Sequence, residues 1–380
     1  MVRALIVIVG IVLMVTSYTI WQSRSSEVLP IPEKQHPIKP VRAVKRHVQD
    51  IAGVLPSQDL PRFEQYMEWI VRESDVDVRF VFVRGTGEKS LEQLAVDLVD
   101  EMRIGGTTRE QRGLLLLYDM QGQRLKVEVG YGLEAYFPDA FVSYLVNDHA
   151  RMFFESGNVS VGLRLMLRLL QHRIREAVIG NDFDPRVLKM IENRGYLSGG
   201  AGVSTEMPIG SAPRNPAPSG ADTREPGPFD AQNTPEQTYR TYLAWLSQRK
   251  LDPNADLFTR ESRSYLSGLQ VSPAYADFIF FTEYGKRFQL IERNDRAILF
   301  FTGTPFASPH FFVRQDGKWR MDMVAEVRNT HEHTGGVLTW GYYGEGDPYT
   351  QAFSDLLINV HGYRRFRDGD NRTLPIRGSS

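Results

Sequence analysis

From Leu60 the chain sets apolar side chains at Leu60, Phe63, Met67, Ile70 and Val71, the spacing of one face of a helix that Asp59 is placed to cap. Asp77 to Arg84 alternates as a strand does, and Ser90 to Met102 returns to helical spacing through Leu91, Leu94, Ala95, Leu98 and Met102. Leu114 to Tyr118 is apolar throughout, which predicts a buried central strand. The turn Met120 to Gln123 and the alternating run Arg124 to Val129 complete a hairpin. Val159 to Val178 predicts a long amphipathic helix with Leu163, Met166, Leu167, Leu170 and Ile174 inward. These elements predict an α/β domain over residues 48–180, a layered α/β/α sandwich.

Asp184-Pro185 and Gly195 bracket a short helix, but between Ser198 and Pro235 17 of 38 residues are Gly, Pro or Ser. Residues 181–233 therefore read as a linker with little to bury. Thr234-Pro235-Glu236-Gln237 is a capping box that opens a second domain, 234–366. Helices are predicted after Thr234 and loosely over Asp256–Leu269. Strands follow at Arg287–Glu292, Ala297–Thr302, Phe311–Arg314 and Trp319–Val324, with turns at Asn294-Asp295 and Asp316-Gly317. Helices followed by an antiparallel meander predict an α+β domain. A last helix is predicted over Thr350–Phe366, before a basic tail, 367–380.

The amino end differs in kind. Ala4 to Ser23 carries no charge, and about 20 helical residues cross a bilayer's hydrocarbon core. Residues 1–25 read as a transmembrane signal anchor with the lipid bilayer as partner of residues 4–21, Arg3 on the cytoplasmic side and the bulk periplasmic or extracytoplasmic. A cleaved signal peptide is the alternative. Residues 26–47 are a proline-rich, basic spacer.

A net charge of −1 gives no electrostatic reason to bind nucleic acid. The absence of cysteine excludes disulfides, thiolate metal sites and cysteine nucleophiles. Nucleotide loops, zinc-protease helices and serine-hydrolase elbows are also absent from the sequence. On the long helix, Arg164, Arg168, Arg173 and Arg175 suit a solvated face, or contact with anionic lipid or a partner. His331 and His333 have the spacing of some metal sites but no third ligand. The many phenylalanines between Phe278 and Phe312 suit core filling better than a ligand pocket.

HVQDIAGVLP, RGLLLLYD and KVEVGYGLEAYFPD, in that order and spacing, resemble the TPM domain family over Val48 to about Val178. HFFVRQDGKWRMDMV resembles, more weakly, the nuclear transport factor 2-like superfamily. The TPM resemblance implies a membrane-anchored protein that acts on membrane protein complexes, calcium binding, or acid phosphatase activity. Candidate residues follow. Asp50, Asp119 and Asp139 are the catalytic candidates, and Arg112, Gly130, Gly132 and Glu134 form the candidate binding loop. Asp50, Glu134 and Asp139, if they converged, would suit a hard cation such as calcium. Asp139 at a helix start and Asp50 in a turn also have plain capping readings. The chain departs from the family at Arg112-Gly113, where relatives carry Asn or Asp before Gly. It departs again at Met120 to Gln123, where many carry Asp-Asp-Arg. A fixed positive charge at Arg112 opposes a cation and favours an anion. The expected function is a membrane-anchored accessory or binding module acting on a membrane or envelope complex. The alternative is a TPM-type acid phosphatase.

Overall fold

The computed structural model describes residues 46–108, 111–134, 136–178, 185–193, 202–211, 229–249, 251–304, 307–333, 339–360 and 363–369. The anchor, nearly all of the spacer, and the tail beyond Gly369 lie outside them. Among the described residues no helix is long and apolar enough to cross a membrane.

The first domain is a five-stranded sheet in the order β1 (Val48–Asp50), β2 (Asp77–Val83), β3 (Gly113–Asp119), β4 (Arg124–Val129), β5 (Val203–Glu206). β1, β2 and β3 run parallel, and β4 and β5 are antiparallel to their neighbours. The seven residues of β3 are all buried, as a central strand covered on both faces requires. On one face lie α1 (Leu60–Ser74), α3 (Asp139–Leu145) and α5 (Val159–Val178). Their side chains form one core with Phe80, Phe82, Leu116, Tyr118 and Leu125. On the other face α2 (Leu91–Met102) buries Leu91, Ala95 and Leu98. The predicted three-layer sandwich is therefore the observed one.

Three local readings change. Asp59 makes no side-chain cap on α1; its Oδ2 instead meets the Ser160 hydroxyl at 2.5 Å, at the start of α5. Pro138, not Asp139, occupies the cap of α3, and Asp139 lies in the first turn. Inside the predicted linker, α6 (Pro185–Asn193) forms as expected, but Val203–Glu206 extends the sheet as β5. α3 passes through a π turn (Val146–Ala150) into α4 (Arg151–Glu155).

The second domain begins with α7 (Pro235–Ser247), capped by Thr234 as predicted, then α8 (Arg260–Ser267) and α9 (Pro273–Glu283). The meander β6 (Phe288–Arg293), β7 (Arg296–Phe301), β8 (His310–Gln315), β9 (Lys318–Met321) follows. Its first and last hairpins turn on Asn294-Asp295 and Asp316-Gly317; Asp316 and Gly317 both take positive φ, as a tight turn of this kind demands. One face of this sheet packs on the helices and the other on α11 (Pro348–Phe353) and a further small sheet. That sheet holds β10 (Thr330–His333), β11 (Thr339–Tyr342), β12 (Leu357–Val360) and β13 (Tyr363–Phe366).

The single helix expected over Thr350–Phe366 is thus a one-and-a-half-turn helix and two strands. Asp347 caps α11 through two backbone N–H groups, and LINV and YRRF pair antiparallel. The strand expected over Trp319–Val324 ends at Met321, because Asp322 caps α10 (Met323–Asn329). His331 and His333 lie on β10, which pairs antiparallel with β11.

α9 carries apolar residues on two sides and packs on two cores. Ala274, Tyr275 and Phe278 pack on the first domain's core, Ala276, Ile279 and Phe280 on the second's. Asp277 of α9 accepts from Tyr144 of α3 at 2.8 Å and from Arg249 at 3.0 Å. Arg249 also pairs with Asp148 of the first domain.

Candidate functional site

The strand register divides the candidate residues between the two ends of the sheet. Asp50 closes β1 and is level with Phe82, Tyr118 and Leu125. Gly130 follows Val129, which pairs with Leu114 at the opposite end of β3. Five strand residues at about 3.3 Å each put roughly 15 Å between the two ends. Asp50 therefore does not join Glu134 and Asp139, and among the described residues no group of three His, Asp or Glu side chains is arranged to hold a metal ion. The separation arises because β1 runs in the direction of β3 while β4 returns against it; the β3–β4 hairpin was legible in the sequence, the direction of β1 was not.

At the end where the parallel strands finish, Asp50 is fully occupied by its own turn. Its Oδ1 accepts from Gly53 and Val54 N–H at 2.8 and 2.9 Å, and Oδ2 from Leu55 at 2.7 Å. Asp119 ends β3, buried, and accepts from Gln121 N–H at 3.1 Å. Asp50 is in register with Phe82 and Asp119 with Val83, so the two carboxylates leave opposite faces of the sheet, two strands or about 10 Å apart.

The other end gathers most of the predicted binding loop. Gly130 N–H donates to Gly113 O at 2.7 Å, so the glycine turn abuts the residue after Arg112. Gly105 joins them: a Cβ there would stand 2.8 Å from Gly113 N, and one on Gly130 3.0 Å from the same atom. Only glycine allows three backbones to approach this closely. Tyr131 and Gly132 form a short 3-10 turn that leaves Tyr131 78% exposed. Glu134 is exposed just beyond it, and Asp139 Oδ1 accepts from Gly202 N–H at 3.4 Å.

Beside this contact lies a cluster that sequence spacing did not single out. Asp77, 2% exposed, takes a 2.6 Å bond from Arg79 Nε and one of 3.1 Å from Gly105 N–H, with His47 Nδ1 at 3.5 Å. Burial alone would raise its pKa. Hydrogen bonds from His47, Arg79 and Gly105 and the charge of Arg79 outweigh burial and hold it at about 2. The alternation of DVRFVFVR carried the signal, since an acid at a buried strand position needs partners. A cavity of about 130 Å³ opens between α2 and this end of β3 and β4. Val96, Val99, Ile104 and Leu115 line it together with Asp100 and Glu128. Ligand pockets run from roughly 300 Å³ upward, so this one admits a side chain or a few waters rather than a metabolite.

The second domain holds a further buried ionic group. His310 Nε2 meets Glu283 at 3.0 Å and Nδ1 meets Glu326 at 2.9 Å, under Tyr239, Tyr242 and Phe301. Burial opposes the imidazolium, but the two carboxylates outweigh it and raise the pKa to about 10.

The model of the TPM domain family matches residues 48–173, a stretch that falls within the first domain. A solution NMR structure of the N-terminal domain of a protein from P. gingivalis is 26% identical, covers 37% of this chain and 88% of that one, and superposes with a TM-score of 0.32. No curated protein matches the chain.

Proposed function

We propose that this chain is a membrane-anchored, extracytoplasmic accessory module that binds a membrane or envelope protein complex. The observation that carries this reading is the dispersal of the acids: Asp50 spends its oxygens on three backbone N–H groups, and Glu134 and Asp139 lie at the far end of the sheet. What the loop end offers instead is a binding surface, an exposed Tyr131 on a glycine turn next to Arg112. Tyrosine and arginine are the residue types that carry binding energy at interfaces. The apolar run from Ala4 to Trp21 supports the anchor. The second domain's likeness to the nuclear transport factor 2-like superfamily belongs to the same proposal, supported by three helices leading into a four-stranded meander.

Acid phosphatase activity is the second reading. It is favoured by Asp119, buried where the parallel strands end, since open α/β sheets take ligands at that edge. Affinity purification of the full-length protein from solubilised membranes, combined with a phosphomonoester assay on the same material, separates the two. Co-purification of a defined complex with no turnover supports the accessory module; turnover abolished by Asp119→Asn supports the enzyme.

A further inference from the structure

α9 runs from one buried histidine to another. Ser272, which caps its amino end, bonds His149 of the first domain at 2.5 Å, and Glu283, its last residue, meets His310 of the second at 3.0 Å. All four residues are buried. The two histidines have opposite surroundings. The His149 ring meets Ser272 Oγ, Gly162 O of α5 and the Phe153 ring of α4, none of them charged. The ionic groups packed around this junction are engaged with one another. Asp148 of the π turn and Asp277 of α9 both pair with Arg249, Tyr144 of α3 donates to Asp277, and Arg151 of α4 pairs with Glu155. The titration of His149 therefore answers to burial, which lowers its pKa to about 4, and to the Gly162 bond, which opposes burial. His310 instead lies between Glu283 and Glu326 of α10, which hold it as a cation.

We propose that acid opens the junction between the two domains along one face of α9: a proton on His149 releases the first domain from the helix, while His310 keeps the helix on the second. Nε2 of His149 already donates to Gly162 O, so the added proton goes to Nδ1. There it meets the Ser272 oxygen, which already accepts from Tyr275 N–H. An imidazolium buried without a counter-ion favours whatever arrangement admits water. The same junction has a polar seam at the surface, where Gln270 bonds Ser156 at 2.9 Å and Asn158 at 2.8 Å, and water can replace both bonds. The other end of the helix responds in the opposite sense. One cation between two carboxylates leaves an excess negative charge, and burial raises the pKa of Glu283. A proton taken up by Glu283 removes that excess and leaves His310 paired with Glu326, so acid does not loosen the contact.

The chain has no cysteine, so one introduced thiol reports by itself. Ala274 packs on the first domain's core and Ala276 on the second's, and both are buried. The test is labelling of Ala274→Cys and Ala276→Cys with dithiodipyridine, on the full-length protein in detergent at pH 7 and pH 4.5. Each rate is divided by that of the same variant in urea at the same pH. A histidine that titrates near 6.5 when the junction is open and near 4 when it is docked makes the open form about fiftyfold more populated at the lower pH. Ala274→Cys should show that rise and Ala276→Cys none, and His149→Phe should abolish the rise at Ala274→Cys. No rise at Ala274→Cys would overturn the proposal. So would an equal rise at Ala276→Cys, which means unfolding rather than release, or a rise that survives His149→Phe. Should Ala274→Cys fail to fold, Phe278→Cys reads the same face of the helix with the same outcomes.

Discussion

His149 of the first domain accepts a buried 2.5 Å hydrogen bond from Ser272 of the second, and the direction of that bond is fixed. His149 Nε2 lies 2.8 Å from Gly162 O, which can only accept, so Nε2 carries the proton and Nδ1 is left to accept from the Ser272 hydroxyl. The Ser272 oxygen in turn accepts from Tyr275 N–H and caps α9. Burial holds this histidine neutral, with its pKa lowered to about 4 against the opposing effect of the Gly162 bond. A histidine pKa lower in the folded than in the unfolded state gives stability that is full above about 6.5 and is lost as pH falls toward 4. The unfolding free energy should drop by a few kcal/mol across that window. His149→Phe should flatten the window while costing about 1–3 kcal/mol at pH 7, because Ser272 and Gly162 lose their partner. Urea titrations at pH 7 and pH 4.5 on both proteins check this.

His310 has the opposite sign. Its folded pKa lies above the unfolded value, so its contribution is complete below about 6.5 and is lost as pH rises through about 10. His310→Gln should cost on the order of 3–5 kcal/mol, since it leaves Glu283 and Glu326 as buried acids without their cation. Thermal melts between pH 7 and 10 should show the wild type losing stability over this range. The variant should start lower and change less.

The glycine contact separates folding from binding. Gly130→Ala would press a methyl against Gly113 N and should destabilise the domain by about 1–3 kcal/mol. Tyr131→Ala removes an exposed side chain one residue away. It should leave stability within about 0.5 kcal/mol while weakening capture of the partner complex. Melting curves and pull-downs on the same two variants distinguish these roles.

Asp50→Asn should behave as a turn mutation. Three backbone N–H groups converge on its two oxygens, and an amide supplies one acceptor oxygen where the carboxylate supplies two. The expected loss is about 1–2 kcal/mol. Millimolar calcium should leave the melting temperature of wild type and variant unchanged, because a ligand stabilises only a protein that binds it. Differential scanning calorimetry with and without calcium reads both.

Much of this architecture is legible in the order of apolar residues. LLLLY announces a strand buried on both faces, and Asp316-Gly317 marks the turn it makes. Thr234 with Pro235 and Gln237 opens α7 as the capping box requires. Other elements stayed hidden for physical reasons. α9 is sandwiched between two cores, so its apolar residues show no helical period; Ser272-Pro273, a cap followed by a first-turn proline, was the available sign. β5 is four residues long and draws its stability from pairing with β4 across 80 residues of chain, which no local pattern encodes. LINV and YRRF are too short to be told from a helix by period alone. The site was half legible. Arg112, Gly130, Gly132 and Glu134 do share one end of the sheet, but the place of Asp50 depends on strand direction, which composition and spacing leave open.

The central claim is the proposal that the first domain, which the TPM family model matches, binds rather than hydrolyses. Its most direct test is quantitative affinity purification of the full-length protein from solubilised membranes, run in parallel for wild type and Tyr131→Ala, with phosphomonoester turnover measured on each eluate. A defined membrane complex recovered with the wild type, depleted with Tyr131→Ala and without turnover in either, is the predicted result. A wild-type eluate that contains no partner and hydrolyses the phosphomonoester, with turnover abolished by Asp119→Asn, would contradict it.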